Sequence, residues 1–478
     1  MNTDIQAIIE GNAPMSLEQI IKQEVDDWVS SEVYRWMLAG QQYYLGKTDI
    51  LNRKRLIIGP GGEMIEDTNL SNNKLVHNFT RKLVDQKVGY LLSKEMSIQT
   101  ENKIYQEALA TLFDQSMNRT IKNLGKETIN KGIAWLHVHY NEEGILSFKR
   151  MRSDEIIPIW LDEDHTELQA VIRRYTIETY EATTKKEVVK VEWWDTNGVK
   201  RYTYDGGVVP DDDSIGNHFV MEWQGEEKPL NWERVPFIPF KANDEEQPLI
   251  ELIKSLVDDY DLKSSDNSNN LQDLPNSIYV LKDYDGTDLG QFRYNLAAYR
   301  AVKVTGEGGV DTLDLTIDTE AFKTHQDMTR KNIYEFGRGV DIGTENFNGA
   351  TGVALKQLYN DLDMDANILE TEFQASFEQL LWFIDTHLAN TGIGDFADED
   401  VEFIFNRDIL VNETDAITNA KNSVGIISDE TITANHPWTK DIQAELDRIK
   451  KEKESVMDDY PSLDPVDQTS IPKVADEE

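Results

Sequence analysis

From Leu17 onward, apolar side chains recur every three to four positions: Leu17, Ile20, Ile21, Val25, Trp28 and Val29. That period predicts an amphipathic helix. Ser16, with Gln19 three places on, has the capping-box pattern that starts one. A second helix is predicted from Val33 to Tyr44, stopping at Gly46. A third is predicted over 72–92, where Leu75, Phe79, Leu83, Val84, Val88 and Leu91 share one side, and a fourth from Lys103 to Lys122.

The period shortens at Gly132. "IAWLHVHYNEEGILSFKRM" alternates apolar and polar residues around an Asn-Glu-Glu-Gly turn, which predicts a hairpin. Strand-like pieces continue through "AVIRRYTIETYEA", "KEVVKVEWWDTNGVKRYTYDGG" and "NHFVMEWQ". Asn197-Gly198 and Asp205-Gly206-Gly207 stand where tight hairpin turns require them. Residues 1–245 therefore read as a helical lead-in followed by an antiparallel sheet.

Helical spacing returns at Pro248, a good first helical position. Leu249, Leu252, Ile253, Leu256, Val257 and Tyr260 make an apolar stripe, and the helix then turns polar in "DLKSSDNSNNLQDL". "SIYVLKDYDG" and "AVKVTGEGGVDTLDLTID" read as strands around a short polar helix. Asp318 can cap a further helix in which Gln326 and Thr329 interrupt a stripe of Phe322, Ile333 and Phe336. A helix this polar needs solvent or neighbours of its own kind. Then comes "DIGTENFNGATGVALKQLY" (341–359), and after it the longest helical signal, about Val353 to Leu388, roughly 50 Å of helix at ~1.5 Å per residue. Its apolar positions include Leu355, Leu358, Leu362, Leu369, Phe373, Phe377, Leu380, Leu381 and Ile384. Shorter helices are predicted near 413–426 and 438–456. The acidic, proline-bearing end is expected to be disordered.

Composition narrows the function. The 478 residues suggest about three domains. At 39% hydrophobic and 9% aromatic they can build real cores. With 88 acidic and 48 basic residues, the net charge of -40 argues against a broad basic face that grips nucleic acid. Cysteine is absent, which excludes disulfides and cysteine zinc sites. The first residues carry Asp4 and Glu10 and no basic region, so no signal peptide is expected. Apolar runs such as "LLWFI" (380–384) are too short for a membrane span, and a soluble, intracellular protein is expected.

The glycine-rich stretch is the first candidate for chemistry, because a glycine loop entering a helix is how many proteins hold a phosphate. Gly349 follows Gly343 six places on, and Ala350-Thr351 stands where a P-loop needs Lys-Ser/Thr. A dinucleotide loop needs a buried strand before it, and a polar helix precedes this one. Both patterns fail, and a sharply bent connection between helices is the expected reading. His137 and His139 share one strand face but lack a signalled third ligand, so solvent-facing sheet histidines are expected. "PDDDS" (210–214) and "DFADEDVEF" (395–403) lack calcium-loop spacing and read as solvated acidic loops. Trp193, Trp194 and Trp223 are expected to pack in or on a sheet. Of the basic clusters "NRKRL" (52–56) and "IRRY" (172–175), the first could touch a phosphate or an acidic neighbour, with a solvated turn the default. No catalytic residue, metal site or cofactor is indicated.

One pattern remains. Two helices, 248–270 and 318–338, flank a strand-containing insert, and the second leads through a glycine-rich loop into a very long helix. Such a polar pair suits copies standing side by side in a ring. This order, together with "YYLGKTDILNRKR" (43–55), "NNKLVHNFTRKLVDQKVGYLLSKE" (72–95), and "GIAWLHVHYNEEG" with "IIPIWLDED" (132–164), resembles the portal proteins of tailed double-stranded DNA bacteriophages over roughly residues 30–455. One departure is Ser93, where the family often has glycine after "GYLL".

The resemblance implies an α+β portal fold with an antiparallel β-sheet wing, a helical stem and long channel helix, a small α/β clip and a helical crown. Carried onto this chain, 1–245 is the wing, 246–270 and 318–340 the stem helices, and 271–317 the clip. Residues 341–353 are the tunnel loop, 354–390 the long helix, 391–456 the crown and 457–478 a disordered acidic tail. Thr344, Glu345, Asn346, Phe347, Asn348 and Gly349 would form the part of the tunnel loop that faces DNA, with Gly343 and Gly352 as hinges. The family implies a homo-oligomeric, dodecameric ring at one capsid vertex of the virion, assembled in the bacterial cytoplasm. Its partners would be the terminase large subunit, head-tail connector proteins, major capsid and scaffolding proteins, and double-stranded DNA passing through without sequence specificity. No membrane is implied and no enzyme activity; packaging energy would come from a partner motor. The rival readings are a metal-dependent nuclease using the acidic clusters and another ring-forming virion or scaffold component.

Overall fold

The capping box forms as predicted. The Ser16 backbone N–H donates to Gln19 Oε1 at 2.9 Å, and the Gln19 N–H donates to Ser16 Oγ at 3.4 Å. It opens helix α1 (Leu17–Ser30), and a break at Ser31 leads into α2 (Glu32–Tyr44). This computed structural model describes residues 15–58, 62–67, 71–181, 183–223, 226–273, 278–282, 309–313, 319–341, 359–407, 413–434, 436, 438–439 and 442–458. Two units are present: one comprises 1–345 with 359–408, the other 346–358 with 409–478.

In the larger unit, a short ribbon of β1 (Leu56–Ile58) and β2 (Met64–Glu66) follows α2. The third predicted helix begins later than the apolar pattern suggests, as α3 (Phe79–Leu92), and residues 71–78 form neither helix nor strand. Strand β3 (Ser97–Gln99) comes next. The fourth predicted helix is two: α4 (Lys103–Leu112) and α5 (Gln115–Lys131). Asp114 makes the break by accepting from the Met117 N–H at 2.8 Å as a new N-cap. α5 runs on to Lys131, whose ammonium reaches Glu127 Oε1 at 3.0 Å and Asp154 Oδ1 at 2.6 Å in a buried ion cluster. The boundary at Gly132 has a steric cause. Its φ is +85°, and a Cβ there would fall 1.8 Å from the Glu246 carbonyl oxygen.

Two antiparallel sheets form the β region. β6 (Ile156–Trp160), β7 (Leu168–Glu181), β8 (Thr184–Asp195), β9 (Gly198–Tyr204) and β10 (Val208–Gly216) make a five-stranded meander in chain order. α1 lays Ile20, Ile21 and Val25 on this sheet, against Ile172, Val191 and Trp193. A three-stranded sheet places β4 (Ile133–Tyr140) between β5 (Leu146–Met151) and β13 (Phe237–Lys241). Residues 133–138 of β4 are all buried, so the strand is covered on both faces and its side chains do not alternate with solvent. β11 (Phe219–Trp223) and β12 (Glu226–Leu230) form a separate hairpin.

Three helices complete this unit: α6 (Leu249–Asp273), α7 (Thr319–Phe336) and α8 (Asn360–Asn390). Between α6 and α7, β14 (Ile278–Lys282) pairs antiparallel with β15 (Gly309–Leu313), as the two strand-like pieces predicted. α8 buries Phe373 and Phe377 against Phe240 of β13, with ring centroids 5.0 and 5.5 Å away. Predicted positions Leu355 and Leu358 of the long helix lie outside the described residues. β16 (Glu402–Ile404) pairs with β3. The smaller unit holds α9 (Glu413–Ser423), α10 (Asp429–Ala434) and α11 (Ile442–Asp458).

Candidate functional site

Gly343, Thr344, Glu345, Asn346, Phe347, Asn348, Gly349 and Gly352 all fall within 342–358, outside the described residues. The structure describes the points where this segment leaves α7 and enters α8.

At the leaving end, the Gly339 N–H donates to the Tyr334 carbonyl at 2.9 Å and the Arg338 N–H to that of Glu335 at 3.1 Å. This is the Schellman pattern, with Arg338 at the left-handed position, φ +48°. Gly339 follows because a Cβ there would lie 2.2 Å from the Leu83 side chain. Val340 is then held by α3: its N–H donates to Gln86 Oε1 at 3.0 Å, and Gln86 Nε2 donates back to its carbonyl at 3.1 Å. Asp341 takes a bidentate pair from Arg330 Nε and Nη2 at 2.6 and 2.7 Å. That fork pushes the guanidinium's pKa up and fixes the first residue of the loop.

The entering end is held by the same helix. Tyr90 stacks on Tyr359 with centroids 6.0 Å apart and donates its hydroxyl to Asp363. Burial first, and then the Asp363 carboxylate, push the Tyr90 pKa up. Arg407 adds a contact to Asp363 at 3.3 Å and one to Asn367 Oδ1 at 2.5 Å. Between the two ends sits Lys87, whose buried ammonium bonds the Arg338 carbonyl at 3.3 Å and pairs with Asp365 on α8. Burial lowers its pKa, and Asp365 pulls the other way. One turn of α3, from Gln86 to Tyr90, therefore grips both ends of the candidate loop. These three residues lie inside the stretch 72–95, but a search for apolar periodicity passes over polar side chains set among Leu83, Val84, Val88 and Leu91.

The polar helices use their polarity within the chain. Gln326 and Thr329 are buried, and Gln326 Nε2 donates to Ser264 Oγ at 3.0 Å and the Tyr260 carbonyl at 3.4 Å. On another face of α6, Asp261, Ser265 and Asn269 accept the backbone N–H groups of His77, Leu75 and Asn73 at 2.9, 2.9 and 2.6 Å. Four helical residues rise ~6 Å and two extended residues ~6.6 Å, so a stripe at every fourth position can meet every second amide. This ladder explains why 73–77 does not join the helix that follows it. The polar pair thus makes many of its polar contacts within its own chain, while Gln326 Oε1 and Asn269 Nδ2 are buried without a hydrogen-bond partner.

The other candidates resolve as structure. His137 is buried rather than solvent-facing, with Nδ1 2.9 Å from the Pro236 carbonyl. Burial pushes its pKa down to about 3. His139 is half-buried and stacks on it at 5.5 Å. Among the described residues no group of three or more His, Asp or Glu side chains could hold a metal. Asp211 of "PDDDS" bonds Lys190 at 3.0 Å and Thr203 at 2.7 Å, while Phe396 of "DFADEDVEF" stacks on Tyr105 at 4.4 Å. The "NRKRL" cluster takes the acidic-neighbour option: Arg53 pairs with Asp266 of α6 at 2.5 Å. Arg173 of "IRRY" pairs with Glu155 and Glu192 and covers the Tyr175 ring. Trp193 is buried and Trp194 packs against a core cluster that includes Trp135, Val171 and Phe237, as expected; the Trp223 side chain lies outside the described ones.

Residues 32–459 match the family model for phage portal proteins of the SPP1 Gp6-like type. The chain belongs to this portal family. It is 32% identical over 429 residues to the portal protein of Bacillus phage SPP1, covering 87% of this chain and 83% of that one. It is 31% identical over 444 residues to the portal protein of Clostridium phage phiCD119, covering 89% and 95%. A chain from the neck of a native GTA particle overlaps 75% of this portal-family chain and 89% of its own length, at 11% identity and a TM-score of 0.40, too loose a likeness to carry an argument. Among the described residues no helix of this portal-family chain is long and apolar enough to cross a membrane.

Proposed function

We propose that this chain is the subunit of a portal ring, dodecameric in the assembled particle, which forms a channel at one capsid vertex for DNA packaging and ejection. The observation that carries this reading is the family match over 32–459. The ring is a virion component assembled in the host cytoplasm among capsid and scaffolding proteins. Its role is structural rather than catalytic, and it docks the terminase large subunit and later the head-tail connectors. Residues 1–245 serve as the wing, 246–270 and 318–340 as the stem, 271–317 as the clip and 391–456 as the crown. The loop at 341–353 reaches the channel, with Thr344 to Gly349 nearest the DNA and Gly343 and Gly352 as hinges.

The net charge of -40 supports a conduit that does not grip its cargo. Duplex DNA carries one negative charge per ~1.7 Å of axis, and tight contacts would have to break at each step. An acidic wall repels phosphate over ~8–10 Å at physiological salt and keeps the duplex centred. The deciding experiment is particle mass by light scattering, with ring images by electron microscopy. Rings are expected, and a stable monomer under every condition overturns the reading. Shortening 344–349 should then impair packaging and leave the ring intact; loss of the ring would make the loop structural.

A further inference from the structure

The β11–β12 hairpin stands off the two sheets on a narrow base. β12 is exposed along its whole length, and Val220 of β11 is 58% exposed. Its two strands pair only with each other, from Phe219 opposite Leu230 to Trp223 opposite Glu226. A lone two-stranded ribbon is marginal in water, so its attachment to the body matters.

That attachment closes through one imidazole. The His218 N–H donates to Asn231 Oδ1 at 2.9 Å, and Asn231 Nδ2 donates to the Asn197 carbonyl in the β8–β9 turn at 2.7 Å. In return the Trp232 N–H donates to His218 Nδ1 at 3.0 Å. A backbone N–H can only donate, so His218 Nδ1 must be unprotonated and the ring carries its proton on Nε2. The His218 ring stacks on Trp194 of β8 at 5.8 Å, and Phe219 lies on Tyr140 of β4 at 4.9 Å. Trp232 is buried, with its ring 5.3 Å from Phe383 of α8.

The surroundings oppose a second proton. Burial lowers the His218 pKa, and the Asp195 and Gly198 backbones and the Asp195 charge pull it only part of the way back. Asp195 is already engaged by Trp193 Nε1 at 2.8 Å and the Asn197 N–H at 2.7 Å. Glu192, on the same strand, takes Trp194 Nε1 at 3.1 Å and the Tyr175 hydroxyl at 2.9 Å. The other groups of this junction are neutral or positive: His137 and His139 on β4, with Arg173 of β7 and Lys149 of β5 beside them. On the α8 side stand His387, 3.0 Å from the Tyr140 hydroxyl, and Arg234, over the Trp382 ring. His137 differs from His218 in one respect: its Nδ1 meets the Pro236 carbonyl and so donates, and a second proton leaves that bond in place. At His218 a second proton turns the acceptor into a donor that faces the Trp232 N–H.

We propose that the β11–β12 hairpin is an acid-released arm: protonation of His218 at Nδ1 breaks its bond from Trp232, and the hairpin turns away from β4 and β8 while both sheets stay folded. Trp232, packed on α8, is the pivot, and lifting Phe219 uncovers Tyr140. Because the attached state holds this imidazole neutral, the attachment is complete above the ordinary histidine value of ~6.5 and is lost as pH falls below it. The device is built into one chain and does not rest on the ring reading.

Hydrogen exchange on the full-length protein tests it. With intrinsic rates divided out, protection of the His218 and Trp232 amides should fall about tenfold between pH 7 and pH 5, while the β7 and β8 amides keep theirs. His218→Asn puts an oxygen that does not titrate where Nδ1 lies, and should hold the Trp232 protection level across that range. His218→Leu removes the acceptor and should lower it at both pH values. Equal Trp232 protection in the wild type at pH 7 and pH 5 overturns the proposal. So does a fall in H218N that matches the wild type, which would place the titrating group elsewhere, at His137 first. A loss shared by β7 and β8 overturns it as well, since the sheets would then be unfolding rather than releasing an arm.

Discussion

Gln86 pairs with the backbone of Val340 as a strand neighbour would, giving one hydrogen bond and receiving one, at 3.1 and 3.0 Å. Val340 is buried, so nothing in solvent can replace these bonds. Gln86→Ala leaves an N–H and a carbonyl without partners and should lower stability by about 2–3 kcal/mol. Urea denaturation checks the value; a loss within error would mean that water or a shifted chain satisfies both groups.

Lys87 and Asp365 make a test of asymmetry. Asp365→Asn leaves a buried ammonium facing a weaker acceptor and the Arg338 guanidinium, and should cost about 2–3 kcal/mol, at the low end for a buried pair because Asp365 is partly exposed. Lys87→Met replaces the buried charge with an apolar chain of similar length and should cost less. Comparing the two denaturation midpoints decides it, and equal losses would contradict the asymmetry.

The ladder on α6 predicts local effects. Ser265→Ala should leave the Leu75 amide unsatisfied and cost about 1–2 kcal/mol. Asp261→Ala should cost more, since Asp261 also accepts from Thr48 Oγ1 at 2.8 Å and lies 2.8 Å from His77 Nδ1. Hydrogen exchange should quicken at the amides of Asn73, Leu75 and His77 before it does in the β4 strand. Unchanged protection at these amides would show that the side chains are not their partners.

His137 sets part of the acid response. Its folded pKa is about 3, below the unfolded value near 6.5, so the folded state holds it neutral where the unfolded state is protonated. Its contribution is complete above pH ~6.5 and is lost as pH falls toward 3, by about 2–3 kcal/mol between pH 6.5 and 4.5. His137→Phe should remove that part of the pH dependence, and the Pro236 carbonyl keeps its bond from the Val138 N–H at 3.0 Å. Midpoints of wild type and variant at pH 7 and pH 4.5 give the comparison; equal drops on acidification would refute the assignment.

Local chemistry made much of this fold legible. The Ser16 box, the stop at Gly46, the hairpin turns and the change at Gly132 all announce themselves within a few residues. The boundaries that were missed depend on distant partners. Residues 72–78 carry a helical pattern, yet their amides are taken by side chains about 190 residues further along. Asp114 looked like an interior residue of one helix because a cap and a polar helical position share the same alphabet. His137 looked solvent-facing because strand alternation cannot reveal a sheet covered on both sides. The anchors on α3 that hold Val340 and Tyr359 could not be read from the sequence, since nothing near Gln86 in sequence refers to Val340.

The ladder between α6 and the 73–77 segment carries one more consequence, for how this chain can change over generations. Its two repeat lengths agree only while both runs stay intact. One residue inserted between Asp261 and Asn269 would turn the lower rungs by ~100° around the helix and aim them away from the amides they serve. Substitutions along this stretch can be absorbed one at a time. Insertions and deletions cannot, so among relatives the distance from Asp261 to Asn269 should hold steady even where the residues between them do not.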